Sequence, residues 1–197
     1  MARIEPLPYA EWDEDLKKMV RGEGASEYEQ ATIGVMAKSP NATKALFAFQ
    51  GSLKANRTLP ARLCELLRLR IGFHNQCRSC MAIRYQSAVD AGVTEGLVCS
   101  LEKPQEAADL TDQEKAALAF ADISATDHYS IDEGNFSDLR KYFTESQIIE
   151  LGLFIASCIG FGRFAASLRM IDSLPEEYKK EGEKIAPWCA EAMIVAG

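Results

Sequence analysis

Helix start and stop signals recur along the whole chain, and they constrain its fold more than any other feature of the sequence. Two capping boxes, each a threonine followed three residues later by Glu or Gln, lie at Thr111–Glu114 and Thr144–Gln147. Pro60 suits the first turn of a helix, where its missing N–H has no partner to lose. No segment shows sustained apolar and polar alternation between hairpin turns, so strands are not expected. The pattern predicts an all-α fold.

The spacing of apolar residues, read with these signals, predicts where the helices lie. The predicted helices are Asp13–Val20, Glu27–Lys38, Ala45–Ala55 (opened by Pro40), Pro60–Gly72, Cys77–Ala91, Lys115–Ser124, Phe136–Phe143, Ile148–Ser157 and Phe161–Leu174. A Gly22–Gly24 break separates the first two. Asn75 is the expected N-cap of the helix Cys77–Ala91, and Gly92 is expected to end it.

The helices group into three parts: an N-terminal helical segment (1–39), a helical core (40–172) and a C-terminal tail (173–197). A length of 197 residues suits one domain with a substantial core. A shift of 85 residues lays Leu63–Leu66 on Ile148–Leu151. That echo suggests two related helical hairpins, although chance similarity between amphipathic helices explains it nearly as well.

Composition excludes several functional classes. The chain is 47% hydrophobic and 26% charged, as soluble globular proteins are, and its net charge of −7 argues against nucleic acid as a partner. The longest apolar stretch, around Leu151–Ile159, is far too short to span a bilayer, so no membrane partner is expected. The first residues show no signal peptide, and we expect a cytoplasmic protein.

One CxxC motif, Cys77-Arg78-Ser79-Cys80, carries the clearest chemical signal. In a reducing cytoplasm, paired thiols indicate either redox cycling or a metal site. A structural zinc site needs four ligands, and the chain offers only His74 and His128 and no second CxxC. Redox cycling is therefore preferred, with no metal expected. The remaining cysteines read as small core hydrophobes: Cys64, Cys99, Cys158 and Cys189.

Three residues near the motif are candidates to assist it. A helix N-terminus favours a thiolate, and a helical Arg84 would lie one turn beyond Cys80 on the same face. Glu65, on the preceding antiparallel helix, is a candidate proton acceptor. It could equally form a structural ion pair with Arg84 or Arg68. His74 reads as a loop residue bonded to backbone, with a proton relay as the lesser alternative.

The arrangement resembles the carboxymuconolactone decarboxylase and alkylhydroperoxidase D-like superfamily. The motifs that carry the resemblance are Leu59–Leu66, Cys77–Cys80, Ala91–Val93, Leu110–Glu114, and Glu150-Leu151 with Arg163. The resemblance implies an all-helical bundle that assembles into homo-oligomers. In the peroxidase branch it also implies that Cys80 attacks the peroxide, Cys77 resolves the sulfenic acid and Glu65 takes part in a proton relay.

This chain departs from the peroxidase branch at two positions. That branch normally has a histidine four residues after the second cysteine, where this chain has Arg84, and often another at Ser79. Arginine stays protonated and cannot relay a proton. Glu65 would then deprotonate Cys80 directly or through water, His74 would substitute, or the chain is not an efficient peroxidase.

These observations together predict a thiol oxidoreductase that reduces hydroperoxides through a Cys77/Cys80 dithiol–disulfide cycle. No flavin, haem or nicotinamide motif is present, so no cofactor is expected. Electrons would come from a dithiol donor protein, lipoyl- or thioredoxin-like. Two alternatives stay open. One is a lyase acting on a lactone or keto acid, which the CxxC disfavours, and the other is a non-catalytic oligomeric redox sensor.

Overall fold

The computed structural model describes residues 2–20, 25–180, 182–188 and 192–195. The predicted Gly22–Gly24 break and Cys189 lie outside these ranges. Within them the helices are α1 (Glu14–Met19), α2 (Glu27–Met36), α3 (Pro40–Ala55), α4 (Ala61–His74), α5 (Arg78–Ala82), α6 (Gln86–Asp90), α7 (Glu95–Cys99), α8 (Asp112–Thr126), α9 (Glu133–Arg140), α10 (Glu145–Leu168) and α11 (Glu176–Lys179), and the strands are β1 (Ile83–Tyr85) and β2 (Met193–Val195). The predicted all-α class is confirmed, with one very small sheet added.

Helix α4 is the centre of the molecule. It packs against α8 and α10, and its apolar residues join the largest hydrophobic cluster. Burial continues around its circumference, from Leu63 to Gly72, as expected of a helix enclosed by others. The CxxC motif follows directly after this helix, so its position is set by the best-packed element of the fold.

Both predicted capping boxes are present. The Thr111 side chain accepts a hydrogen bond from Glu114 N–H and starts α8, and Thr144 accepts one from Gln147 N–H and starts α10. In each box the backbone N–H of the threonine also donates a hydrogen bond to the side chain of the residue three positions later, Glu114 or Gln147. Two otherwise unpaired N–H groups are thereby satisfied at each helix start.

The predicted single helix Cys77–Ala91 is wrong. Asn75 ends α4 as its C-cap, and Cys77 itself is the N-cap of the short α5, which stops at Ala82. The chain then extends through β1 before α6 begins. Gly92, with φ of +86°, does follow α6 in the left-handed conformation expected of a helix-ending glycine.

The expectation of no strands is also corrected. Strands β1 and β2 pair in parallel, with Ile83 opposite Met193 and Tyr85 opposite Val195. A three-residue strand is too short to show alternation, and its partner lies far along the chain. Local pattern therefore could not reveal it.

Helix α10 replaces two predicted helices, Ile148–Ser157 and Phe161–Leu174, with one continuous element of 24 residues. Gly160 and Gly162 lie inside it without breaking it. By length and hydropathy α10, unlike the short Leu151–Ile159 stretch alone, is sufficient to cross a membrane, a property that it shares with core helices of soluble proteins.

The described part of the tail, residues 173–180, 182–188 and 192–195, forms what we call the C-terminal arm. It packs against the CxxC region rather than away from the core. Tyr178 is fully buried beside Met81 and Leu174, and its hydroxyl donates to the Met81 carbonyl at 3.3 Å.

Candidate active site

Cys77 and Cys80 are joined by a disulfide bond at the start of α5. Cys77 has no exposed surface, whereas Cys80 is partly exposed. The backbone N–H of Cys80 donates to Cys77 Sγ at 3.3 Å, and Ser79 Oγ lies 3.6 Å from the same sulfur. The N–H group at this helix start therefore favours negative charge on Cys77 rather than on Cys80.

The close approach of α4 to the motif depends on a glycine. The carbonyl of Gly72 accepts a hydrogen bond from Cys77 N–H at 3.0 Å. A Cβ atom at Gly72 would lie 3.4 Å from Cys80 Cβ and 3.5 Å from Met81 Cγ. A larger side chain at this position would push α5 away from α4.

Arg68 binds the far end of the motif, in addition to the pairing with Glu65 that the sequence predicts as one alternative. Its guanidinium donates to the carbonyl of Cys80 at 2.6 Å and to that of Ile83 at 2.9 Å. The same group lies 4.8 Å from the centre of the Tyr85 ring. Arg68 thus satisfies carbonyls where α5 ends and β1 begins.

Glu65 forms the structural ion pair that the sequence left open as an alternative to catalysis. Its two carboxylate oxygens accept from Arg68 at 2.7 and 2.8 Å, and Tyr85 N–H adds a longer contact of 3.4 Å. Only 3% of Glu65 is exposed. The three-residue spacing from Glu65 to Arg68 on one helix was the available signal for this pair.

Arg84 does not lie where the sequence predicted. It belongs to β1 rather than to a helical turn following Cys80, and only 1% of it is exposed. Its N–H groups bind both carboxylate oxygens of Glu95, at 2.9 and 3.0 Å, and the carbonyls of Met81, Ile83 and Pro187. The guanidinium therefore binds backbone carbonyls and a carboxylate rather than a cysteine. Arg84 forms a salt bridge, as one alternative predicts, but its partner is Glu95 and not Glu65.

His74 is the last residue of α4 rather than a loop residue bonded to backbone. Its Nε2 lies 2.6 Å from Asp122 Oδ1, and Arg70 binds both oxygens of the same carboxylate. Burial alone would raise the pKa of Asp122, but hydrogen bonds from His74 and Arg70 outweigh it and lower that pKa. The histidine thus belongs to a three-member hydrogen-bonded cluster between α4 and α8.

Two free thiols lie near the Glu65–Arg68 pair. Burial raises the pKa of Cys64 to about 11 and that of Cys158 to about 12, and the charge of Arg68 offsets part of the second shift. Cys64 is buried as expected, whereas Cys99 and Cys158 are partly exposed. Neither Cys64 nor Cys158 is an effective nucleophile near neutral pH.

Both the fold and the segment that carries the CxxC motif are similar to known proteins. The family model for carboxymuconolactone decarboxylases matches residues 40–122, which include α4 and the CxxC. A peroxidase-related protein from Ralstonia eutropha JMP134, described as an alkylhydroperoxidase AhpD core, has a TM-score of 0.71 at 19% identity, over 90% of this chain and 94% of that one. Residues 40–122 are thus similar to the carboxymuconolactone decarboxylase family, and the fold is similar to that of an alkylhydroperoxidase AhpD core.

Other similar proteins are more varied. The debrominase Bmp8 has a TM-score of 0.71 at 22% identity, covering 90% of this chain and 94% of its own. An uncharacterised protein of Mycobacterium tuberculosis is 32% identical over 130 residues, which is 64% of this chain and 45% of the relative. The chain thus spans about half the length of the sequence relatives it matches, and the structural likeness establishes the fold alone.

Proposed function

We propose that this protein is a thiol-dependent oxidoreductase, most specifically a peroxidase, that cycles Cys77 and Cys80 between dithiol and disulfide. The observation that carries the proposal is the asymmetry of the pair. One sulfur is exposed enough to meet a substrate, and the other is buried and bonded to it. The match of residues 40–122 to the carboxymuconolactone decarboxylase family and the likeness of the fold to an alkylhydroperoxidase AhpD core support the same chemistry.

In the proposed oxidative half, the Cys80 thiolate attacks one oxygen of a hydroperoxide. The O–O bond breaks, the alcohol leaves with a proton, and Cys80 becomes a sulfenic acid. The Cys77 thiolate then attacks the Cys80 sulfur, the S–O bond breaks and water leaves after protonation. The N–H of Cys80 bonded to Cys77 Sγ supports the charge that this second step needs on Cys77.

A dedicated side-chain proton relay is not part of the proposal. The hydrogen bonds of Glu65 go to Arg68 and Tyr85, His74 is bonded to Asp122, and Arg84 is committed to Glu95 and backbone carbonyls. Each of these groups has partners other than the cysteines. We therefore propose that Cys80 loses its proton to water, which makes turnover slower than in relatives with a histidine relay.

The experiment measures peroxide consumption by the reduced protein with a panel of dithiol donors. We expect Cys80→Ser to abolish turnover, and Cys77→Ser to stop after one equivalent of peroxide with a sulfenic acid on Cys80. Oxidation that spares this pair, or zinc bound to it stoichiometrically, would contradict the proposal. Disulfide formation without turnover would indicate a redox sensor.

The substrate panel includes two further compounds. A lactone or keto acid tests the lyase alternative, which needs no thiol oxidation. A brominated pyrrole is included because a cysteine-to-alanine variant of the debrominase Bmp8 was crystallised with 2,3,4-tribromopyrrole. A dithiol can supply two electrons to a carbon–bromine bond as well as to a peroxide, so product analysis separates these reactions.

We further propose that the protein is a homo-oligomer assembled through α10. Apolar residues with large exposed fractions recur along one side of this helix: Ile149 (66%), Leu153 (48%), Phe161 (40%) and Phe164 (51%). Gly152 and Gly160 lie between them, and a Cβ atom at either glycine would meet nothing within 4 Å. Large apolar side chains exposed along one side of a helix are typical of protein interfaces.

A further inference from the structure

The two sulfurs of the disulfide differ sharply in access. Cys77 is 0% exposed, whereas Cys80 is partly exposed. A reductant must place its thiolate against one sulfur and push electrons onto the other. Which sulfur the reductant attacks therefore depends on the surroundings of Cys77.

The C-terminal arm is fixed to the residues on either side of Cys77. Gln76 donates to the carbonyl of Ile185 and accepts from its N–H, both at 3.0 Å. Arg78 donates to the carbonyl of Glu183 at 2.5 Å. These bonds hold residues 183–185 along the chain at Cys77.

Two more bonds fix the arm beyond the motif. Tyr178 donates to the carbonyl of Met81, and Arg84 donates to the carbonyl of Pro187 at 2.9 Å. The arm is thus anchored both before and after the CxxC, and several of its partners are backbone groups that would lose buried hydrogen bonds if it lifted.

The hydrogen bond from Cys80 N–H to Cys77 Sγ adds a chemical preference. A thiol–disulfide exchange is faster when the departing sulfur is the better stabilised thiolate. This N–H points at Cys77 and at a distance of 3.3 Å can support negative charge there. Access and leaving-group stability therefore favour the same direction of attack.

We propose that the C-terminal arm seals Cys77, so that a reductant attacks Cys80 and Cys77 is the leaving sulfur. This rests only on the dithiol–disulfide cycle of the proposed function. The donor thiolate bonds to Cys80 Sγ, the Cys77–Cys80 bond breaks and its electron pair stays on Cys77, which takes up a proton. The donor's second thiolate then attacks its own bound sulfur, breaks the bond to Cys80 and leaves as a cyclic disulfide.

The chain makes the test direct because Arg78 lies between the two cysteines. Tryptic cleavage places Cys77 on peptide 71–78 and Cys80 on peptide 79–84. The full-length protein is oxidised with diamide, exposed briefly to glutathione, quenched in acid and alkylated with N-ethylmaleimide. We expect glutathione on peptide 79–84 and N-ethylmaleimide on peptide 71–78.

The reverse distribution, or an equal one, would overturn the proposal. So would the absence of any adduct when the urea-unfolded protein forms one. Because diamide replaces peroxide, the result does not depend on peroxidase activity. A protein that fails to consume peroxide can still pass this test, so the two failures are distinguishable.

The role of the arm is tested by Gln76→Gly. Gln76 has φ of +49°, a conformation that glycine adopts freely, so this change removes the bonds to Ile185 without straining the backbone. We expect glutathione to appear also on peptide 71–78. Gln113→Ala, which removes a glutamine bonded to the Tyr142 carbonyl on another face, is the matched control and should leave the distribution unchanged. An unchanged distribution in Gln76→Gly would show that the arm does not seal Cys77.

Discussion

At the residue scale, the Glu65–Arg68 pair is the feature on which the motif most depends. Arg68→Met would leave the 3% exposed Glu65 carboxylate without its partner. Breaking a buried pair from one side costs about 3–5 kcal/mol, so the free energy of unfolding should fall by that amount in urea denaturation. Adding Glu65→Gln to this variant should recover part of the loss.

Lys103→Met provides the control for that prediction, because its pair with Glu106 is largely exposed and should contribute little. Glu65→Gln alone should lower stability, because one amide oxygen cannot replace two carboxylate acceptors. If Glu65→Gln instead leaves stability unchanged and slows oxidation of Cys80 by peroxide, Glu65 acts as the proton acceptor despite its pairing.

Arg84 gives a second test at this scale. Arg84→Met should leave the pH dependence of Cys80 alkylation unchanged, since the guanidinium faces Glu95 and backbone carbonyls. It should reduce stability, because each buried carbonyl left without a donor costs about 1–3 kcal/mol. Glu95→Gln, which keeps a hydrogen-bonding side chain, is the milder comparison. A shift of the alkylation profile to higher pH would show that Arg84 does act on Cys80.

The raised pKa values of Cys64 and Cys158 predict a pH dependence of labelling and stability. With a pKa of about 11, Cys64 holds only about one thiolate in a thousand at pH 8, so iodoacetamide should spare it in the native protein. Cys158, whose pKa is about 12, should also escape iodoacetamide. Between pH 9 and 11 the unfolded chain loses these protons before the folded one does, so stability should fall as pH rises. Rapid labelling of native Cys64 at pH 8 would contradict this prediction.

At the scale of elements, the packing of α10 on the turn after α4 is the sharpest constraint. A Cβ at Gly162 would lie 2.5 Å from Asn75 Nδ2, which is held by the carbonyls of Cys158 and Ile159. Gly162→Ala should therefore lower the free energy of unfolding by about 1–3 kcal/mol. In α3, a Cβ atom at Gly51 would meet nothing within 4 Å. Gly51→Ala should therefore raise the free energy of unfolding by about 0.5–1 kcal/mol. If Gly162→Ala and Gly51→Ala change stability equally in thermal or urea unfolding, the packing explanation is wrong.

At the scale of the whole molecule, the exposed side of α10 predicts assembly. Leu153→Glu places a charge in the proposed interface and should convert the oligomer to single chains in light scattering. Tyr129→Glu, at a residue 90% exposed and outside α10, should leave the assembled mass unchanged. A wild-type mass equal to one chain at every concentration would rule out the assembly.

The sequence by itself determined the helical class, both capping boxes and the pairing of Cys77 with Cys80, because each depends on residues within four positions of one another. The internal echo and the division at residues 40 and 172 stay predictions. The core helix α4 was also predictable, since its apolar residues recur at helical spacing.

The tertiary structure alone decided how the motif is held. Arg84 became part of a strand because Met193–Val195 pairs with Ile83–Tyr85 from the far end of the chain. The C-terminal arm lies beside Cys77 because Ile185 and Glu183 form hydrogen bonds with Gln76 and Arg78, which are roughly a hundred positions earlier in the chain. Such contacts depend on packing between distant segments, and local periodicity carries no information about them.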